Sequence, residues 1–311
     1  MSFPTFDLAA FETAHQDARH HMARSLDVIC RDTGFLVLEW HGVPQRVIDD
    51  VWSAAEAFFA QSATAKQAVA PPYQGYPYGY LGPQTEALAA SKGEETPPDL
   101  KESFNGGPLT VPGDAPAAAL AFCYQPTLWP DLPGFRAAWE AYYAAMEDLA
   151  ARIMRAFAVA LDLAEDHFAP FIAHPISALR ALHYPATEGM PLDKQQRAGA
   201  HSDYGSLTIL LPQPGSQGLQ VDQGGTWVDV PAPEGAFVIN IGDLMARWTA
   251  DRWVSTLHRV VAKPGQPARQ SLAYFHQPAW DAEIVPLDGS DAYPPVRSGP
   301  YLMGKFQSTG V

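Results

Sequence analysis

His201-Ser202-Asp203-Tyr204-Gly205-Ser206-Leu207-Thr208-Ile209-Leu210-Leu211 joins a polar triplet to an apolar, partly β-branched run beginning at Ser206. That run has the length and composition of a buried strand. Similar runs surround it: Ala178–Tyr184, Gly218–Val221, Thr226–Val230, Ala236–Ile241, Val254–Ala262 and Arg269–Gln277, separated by Gly, Pro and Asp. Many short strands with turn signals between them predict a β barrel or jelly roll over residues 176–280.

Upstream the texture is helical. From Phe135 to Leu161 the residues Phe135, Trp139, Tyr142, Met146, Leu149, Ile153, Phe157 and Leu161 step by three or four, one stripe of a long helix suited to lying along a sheet. Ile48–Phe59 and Phe11–Arg31 read as further helices, and Gly34–Leu38 as a strand. Residues 67–118 carry Pro and Gly often enough to break any period and read as a long surface segment over a binding site. No flexible polar linker divides the chain. The expectation is one α+β domain over 1–311 with a mainly β core, in which residues 1–118 form an N-terminal region and helices support the core.

Composition bounds the function. The chain has 311 residues, 47% hydrophobic, enough for a sizeable core. Its net charge of −14 repels phosphate backbones and anionic lipid, so neither nucleic acid nor membrane is expected as a partner, and no protein partner is indicated. Two cysteines, Cys30 and Cys123, make no disulfide framework. With no apolar run long enough to span a bilayer and acidic residues at the start, the expected location is cytoplasmic.

In an extended segment residues two apart project to one side, so His201 and Asp203 can converge on one cation. The other such triplet, His15-Gln16-Asp17, lies in a predicted helix, where positions two apart diverge by about 200°. It cannot chelate. His258, in the strand-like stretch Val254–Val261, supplies a third ligand. Two histidines and one carboxylate on a face of an octahedron leave three positions open, the usual donor set of non-haem Fe(II) oxygenases, whereas a structural zinc site closes with four ligands. On the next run Arg269 and Ser271 share one face and can hold a carboxylate, such as the distal carboxylate of 2-oxoglutarate bound to the metal by its keto-acid end. Asn240 and Asp243 read as closing a turn, and His183 and His276 as structural.

These stretches, with Gly218-Leu219-Gln220-Val221, Trp227-Val228-Asp229-Val230, Asn240-Ile241-Gly242-Asp243 and Ser255-Thr256-Leu257-His258-Arg259-Val260, resemble the catalytic core of the isopenicillin N synthase-like family of 2-oxoglutarate- and Fe(II)-dependent oxygenases. Gly34-Phe35-Leu36-Val37, His41-Gly42-Val43-Pro44, Phe58-Phe59, Lys66 and Asp99–Phe104 are similar to that family's N-terminal region. The resemblance implies a distorted double-stranded β-helix, iron on His201, Asp203 and His258, and 2-oxoglutarate on Arg269, Ser271 and Tyr184. It implies oxidative decarboxylation of 2-oxoglutarate coupled to hydroxylation or desaturation of a small molecule by dioxygen. Leu182 departs from the Asn that many plant members carry there. An oxidase without 2-oxoglutarate, an ethylene-forming type of enzyme and a non-catalytic jelly-roll binding protein remain alternatives. Tyr204, Arg180, Tyr80, Glu86, Phe275 and Trp280 are the candidates for a substrate pocket, although Glu86, on a loop, also reads as a solvated ion.

Overall fold

Residues 3–187 and 189–309 are described by the computed structural model of the chain. An eight-stranded sheet is built from β1 (Thr5–Asp7), β2 (Phe35–Glu39), β3 (Gly79–Leu81), β4 (Glu102–Gly106), β5 (Ala178–Tyr184), β7 (Leu207–Pro212), β10 (Phe237–Ile241) and β12 (Arg269–His276). Its order is β1-β2-β10-β7-β12-β5-β4-β3. A four-stranded sheet comprises β6 (Ala198–His201), β8 (Leu219–Gln223), β9 (Thr226–Asp229) and β11 (His258–Val260), in the order β6-β11-β8-β9. Apolar residues of both sheets, among them Phe35, Leu182, Tyr184, Ala273, Val221 and Val260, form one inner cluster, so the two sheets face each other as a jelly roll.

The helices are α1 (Leu8–Thr13), α2 (Gln16–Asp32), α3 (Gln45–Phe59), α4 (Ala63–Gln67), α5 (Ala117–Phe122), α6 (Phe135–Ala160), α7 (Asp243–Trp248) and α8 (Ser298–Thr309). None is long and apolar enough to cross a membrane. Helix α6 is the predicted long helix. Its 26 residues extend about 39 Å, and Trp139, Tyr142, Met146, Leu149, Ile153 and Phe157 are all buried. They share a cluster with Leu179, Ala181, Ile209, Leu272 and Tyr274, the outward residues of β5, β7 and β12. Those strands are thus covered on both faces, which explains why β12 is buried at seven of its eight positions.

Alternation assigns the opposite face to the site. Arg269, Ser271, Ala273 and Phe275 of β12 face the smaller sheet together with Arg180, Leu182 and Tyr184 of β5. The register sets them in rows. Ala178, Phe275, Thr208, Asn240 and Phe35 are successive neighbours across β5, β12, β7, β10 and β2. Asn105, Arg180, Ala273 and Leu210 form the next row, Ser103, Leu182, Ser271 and Pro212 the one after, and Tyr184 with Arg269 the last.

Three expectations are corrected. The helix expected over Phe11–Arg31 is two helices, because Ala14 turns extended after α1; Asp7 caps α1 by accepting from Ala10 N at 2.8 Å. Residues 67–118 are not wholly a surface segment, for they supply β3, a short 3-10 turn at Leu88–Lys92, and β4, which is buried at all five positions. Polar Glu102, Ser103 and Asn105 disguise β4. Glu102 can be buried because it accepts from Lys66 Nζ at 2.7 Å and Tyr80 Oη at 2.5 Å and meets His183 Nδ1 at 2.8 Å. Finally, His201 ends its own strand, β6, and Ser202–Ser206 connect it to β7.

Candidate active site

His201 and His258 are cross-strand partners of β6 and β11, with ring centroids 4.3 Å apart. Each Nδ1 donates to a backbone carbonyl, His201 to Gly199 O at 2.7 Å and His258 to Thr256 O at 3.2 Å. A carbonyl only accepts, so the proton belongs on Nδ1 and the lone pair on Nε2. Asp203 arrives from the connection after β6. Its Oδ1 lies 3.9 Å from His201 Nε2 and 3.8 Å from His258 Nε2. One ligand atom from each of the three residues falls within 4.8 Å of the others, a spacing that suits a single ion.

The connection is held by close backbone packing. Asp243 N donates to Asp203 O at 2.7 Å, and a Cβ at Gly242 would strike the backbone of Gly205. Asp203 Oδ2 is occupied by Thr208 Oγ1 at 2.5 Å and Asn240 Nδ2 at 2.7 Å, which turns Oδ1 towards the imidazoles. Burial opposes ionisation of Asp203, but the adjacent imidazoles, when protonated, and these two donors outweigh it and hold the carboxyl below its usual range. Burial, reinforced by His258, pushes His201 down to about 3, so its ring is neutral. Two imidazole nitrogens and one carboxylate fit ferrous iron, with a facial triad's three remaining positions open.

Arg269 lies at the far end of the same face. It is buried, its guanidinium stacks over the Tyr184 ring at 4.5 Å, and Nη1 donates to Ser216 Oγ at 3.3 Å. Its Nε has no partner, and no carboxylate pairs with it among the described residues. A buried cation without a counter-ion is costly, so the site calls for an anion. Ser271, two residues on and buried, faces the same space. The residues fit a dicarboxylate. Leu182, opposite Ser271, is an apolar wall.

The pocket candidates separate into two groups. Arg180 faces the inter-sheet space, Phe275 packs beside the inner cluster opposite Thr208, and Tyr204 follows Asp203 under α8, edge-on to Phe306 at 5.6 Å. Glu86 is buried rather than solvated. Its carboxylate accepts from Lys101 Nζ at 2.5 Å and Arg180 Nη1 at 3.1 Å; burial raises its pKa, yet the two cations bring it to about 2. Tyr80 and Trp280 depart from expectation. The Tyr80 hydroxyl is committed to Glu102 and its ring packs on Phe58 at 5.9 Å, while Trp280 sits in a separate cluster with Ala119, Cys123, Tyr124 and Ile176. Both rings are used for packing.

Sequence reasoning missed Thr208 and Asn105, and it assigned Asn240 to a turn although its amide holds Asp203. Only strand register reveals them. Arg197 was missed too: buried, it donates through Nη2 to the carbonyls of Pro185 at 2.9 Å and Pro267 at 2.7 Å, tying together the loops beside Tyr184 and Arg269. As expected, His276 is structural: its Nδ1 meets Ser206 Oγ at 2.6 Å, and burial pushes its ring down to about 4.

Two facing sheets around an inward His, Asp, His cluster, with the buried Arg269 stacked on Tyr184 at the end of the same inner face, define a jelly-roll non-haem iron oxygenase. Residues 175–278 match the 2OG-Fe(II) oxygenase superfamily and residues 3–132 match the N-terminal region described as non-haem dioxygenase in morphine synthesis. The chain belongs to the 2-oxoglutarate- and Fe(II)-dependent oxygenases, and it is an oxidoreductase that uses ferrous iron and 2-oxoglutarate. It is 32% identical over 317 residues to validamycin A dioxygenase of Streptomyces hygroscopicus subsp. limoneus, covering 98% of this chain and 86% of that one. It is 31% identical over 304 residues to the 2-oxoglutarate-dependent dioxygenase tropC of Talaromyces stipitatus, covering 92% and 90%. Among solved structures, a full-length Neurospora crassa protein in complex with alpha-KG superposes with a TM-score of 0.86 at 29% identity, covering 99% of this chain and 96% of that one. Another structure of that protein also holds thymine.

Proposed function

We propose that His201, Asp203 and His258 hold the ferrous ion, that Arg269, Ser271 and Tyr184 hold 2-oxoglutarate, and that the enzyme hydroxylates a small molecule bound between the two sheets. The observation that carries this reading is the pairing of the three-residue donor set with a buried arginine that no carboxylate of the described chain neutralises. When bound, iron with 2-oxoglutarate and dioxygen supplies the oxidant for C–H cleavage. The chain's own residues supply the rest. Thr208 and Asn240 fix one carboxylate oxygen of Asp203 and aim the other, and the backbone carbonyls of Gly199 and Thr256 fix both imidazole tautomers. Arg269 and Ser271 orient the diacid by its distal carboxylate, with the Tyr184 ring keeping the guanidinium in place. Phe275, Ala273 and Leu182 present apolar surface that excludes water from the reacting C–H bond. Thymine in the Neurospora relative supports a compact substrate. A cytoplasmic location belongs to the same reading, supported by two cysteines that are both free and buried.

Anaerobic addition of 2-oxoglutarate to the Fe(II) protein should raise a visible metal-to-ligand absorption band that is lost in His201→Ala. Under air, succinate should form and be stimulated by a substrate drawn from a panel of small metabolites. A band that ignores 2-oxoglutarate would overturn the proposal.

A further inference from the structure

The inter-sheet space holds two arginines with opposite charge balances. Arg269 has no carboxylate partner among the described residues. Arg180 is already neutralised: its Nη1 donates to both Glu86 oxygens at 3.1 and 3.3 Å, and Glu86 is matched again by Lys101, which lies 3.7 Å from Asp99. The four groups are two cations and two carboxylates, all in buried or half-buried positions. Their formal charges cancel.

The same network fixes which hydrogen-bonding groups remain. Arg180 Nε donates to Asn105 Oδ1 at 2.5 Å, and since a guanidinium only donates, the Asn105 amide orientation is set. Neither Asn105 Nδ2 nor Arg180 Nη2 makes a hydrogen bond within the described chain, and neither is sealed from solvent. Both residues belong to the inner row Asn105, Arg180, Ala273, Leu210, which lies between the row of Thr208 and Asn240 beside the metal ligands and the row of Ser271. Two free donors therefore face the space next to the reacting centre, while the acceptors beside them, Asn105 Oδ1 and the Glu86 carboxylate, are already engaged by Arg180 and Lys101.

We infer that Arg180 and Asn105 form the polar end of the prime-substrate pocket and that the group they take is a neutral carbonyl acceptor, such as an amide, lactam, imide or ketone. The inference rests on the proposed function, since it places the substrate between the two sheets. A carboxylate here would add an unmatched negative charge beside Glu86 in a desolvated space. An amine would add a third positive charge beside Arg180 and Lys101, whose shared carboxylate, Glu86, is already engaged by both. A neutral carbonyl uses both donors and leaves the balance untouched. Glu86 is thus the specificity-determining residue: it makes a cationic side chain select a neutral group.

Calorimetric titration of the anaerobic Fe(II), 2-oxoglutarate-loaded full-length enzyme tests this with three scaffolds, methyl, cyclohexyl and phenyl, each carrying a carboxamide, a carboxylate or an aminomethyl group. The best amide should bind about tenfold more tightly than its carboxylate, and the amine should not bind. Arg180→Met should abolish the amide preference. Glu86→Gln, which leaves the network one positive charge in excess, should reverse it in favour of the carboxylate. The 2-oxoglutarate absorption band is recorded in the same samples. A wild-type protein without the band refutes the functional reading, whereas a protein that develops the band but prefers the carboxylate, or binds none of the amides, overturns the neutral-acceptor inference alone. Retention of the amide preference in a band-forming Arg180→Met variant overturns it as well.

Discussion

Asn240 Nδ2 donates to Oδ2 of Asp203 at 2.7 Å, although the two residues belong to different parts of the chain, β10 and the connection after β6. Thr208 donates to the same oxygen from the neighbouring strand at 2.5 Å. The carboxylate is thereby fixed with one oxygen committed and one free for metal.

Removing those donors should loosen the metal without unfolding the sheet. Asn240→Ala and Thr208→Val are each expected to weaken Fe(II) affinity by about 10- to 100-fold, the usual cost of losing a group that orients a metal ligand. A metal titration under anaerobic conditions measures it. Affinity equal to wild type in both variants would show that Asp203 is aimed by the backbone alone.

Arg269→Met should raise the Kd for 2-oxoglutarate by about 100-fold or more, because a desolvated charge-assisted pair is lost. Arg269→Lys should recover only part, since an ammonium cannot reproduce the guanidinium fork or its stacking on Tyr184. The absorption band titrated with 2-oxoglutarate gives both constants. The prediction fails if lysine restores wild-type binding.

Acid stability should depend on Glu102. Burial raises its pKa, but His183, Lys66 and Tyr80 outweigh this and bring it from 4.5 to about 2. A depressed folded-state pKa contributes stability that is present above the unfolded value and is lost as pH falls from about 4.5 through about 2, worth at most about 3 kcal/mol. Glu102→Gln should therefore lower stability at neutral pH and flatten its fall across that window. Urea unfolding at a series of pH values reads the slope. An unchanged slope in the variant would assign the acid sensitivity elsewhere.

Gly242→Ala should lower both the melting temperature and Fe(II) affinity, because the added methyl would meet the Gly205 backbone and displace the segment carrying Asp203. Gly113→Ala, where nothing lies within 4 Å of the added carbon, is the control and should leave both unchanged. Equal effects from the two would remove the steric argument.

The β half of the fold was legible because its strands are apolar runs bounded by turn residues, and Ala178–Tyr184 is a strand over its whole predicted length. The stripe of α6 was legible for the same reason. Strand β4 was not, since Glu102 and Asn105 look like surface residues until Lys66, Tyr80, His183 and Arg180 are seen around them. His201, Asp203 and His258 stood out by residue type and the nature of their flanking segments. Their convergence, however, comes from a strand end and a turn rather than from one extended strand. The pocket was the least legible part: Tyr80 and Trp280 are aromatic for packing, and Glu86 is buried only because two distant cations reach it.

His201 and His258 face each other across the ladder joining β6, four residues long, to β11, only three residues long. An ion gripped by both rings does more than assist chemistry. Bound there, it would fasten together two very short strands, so metal loading should stiffen the smaller sheet and slow amide exchange within it.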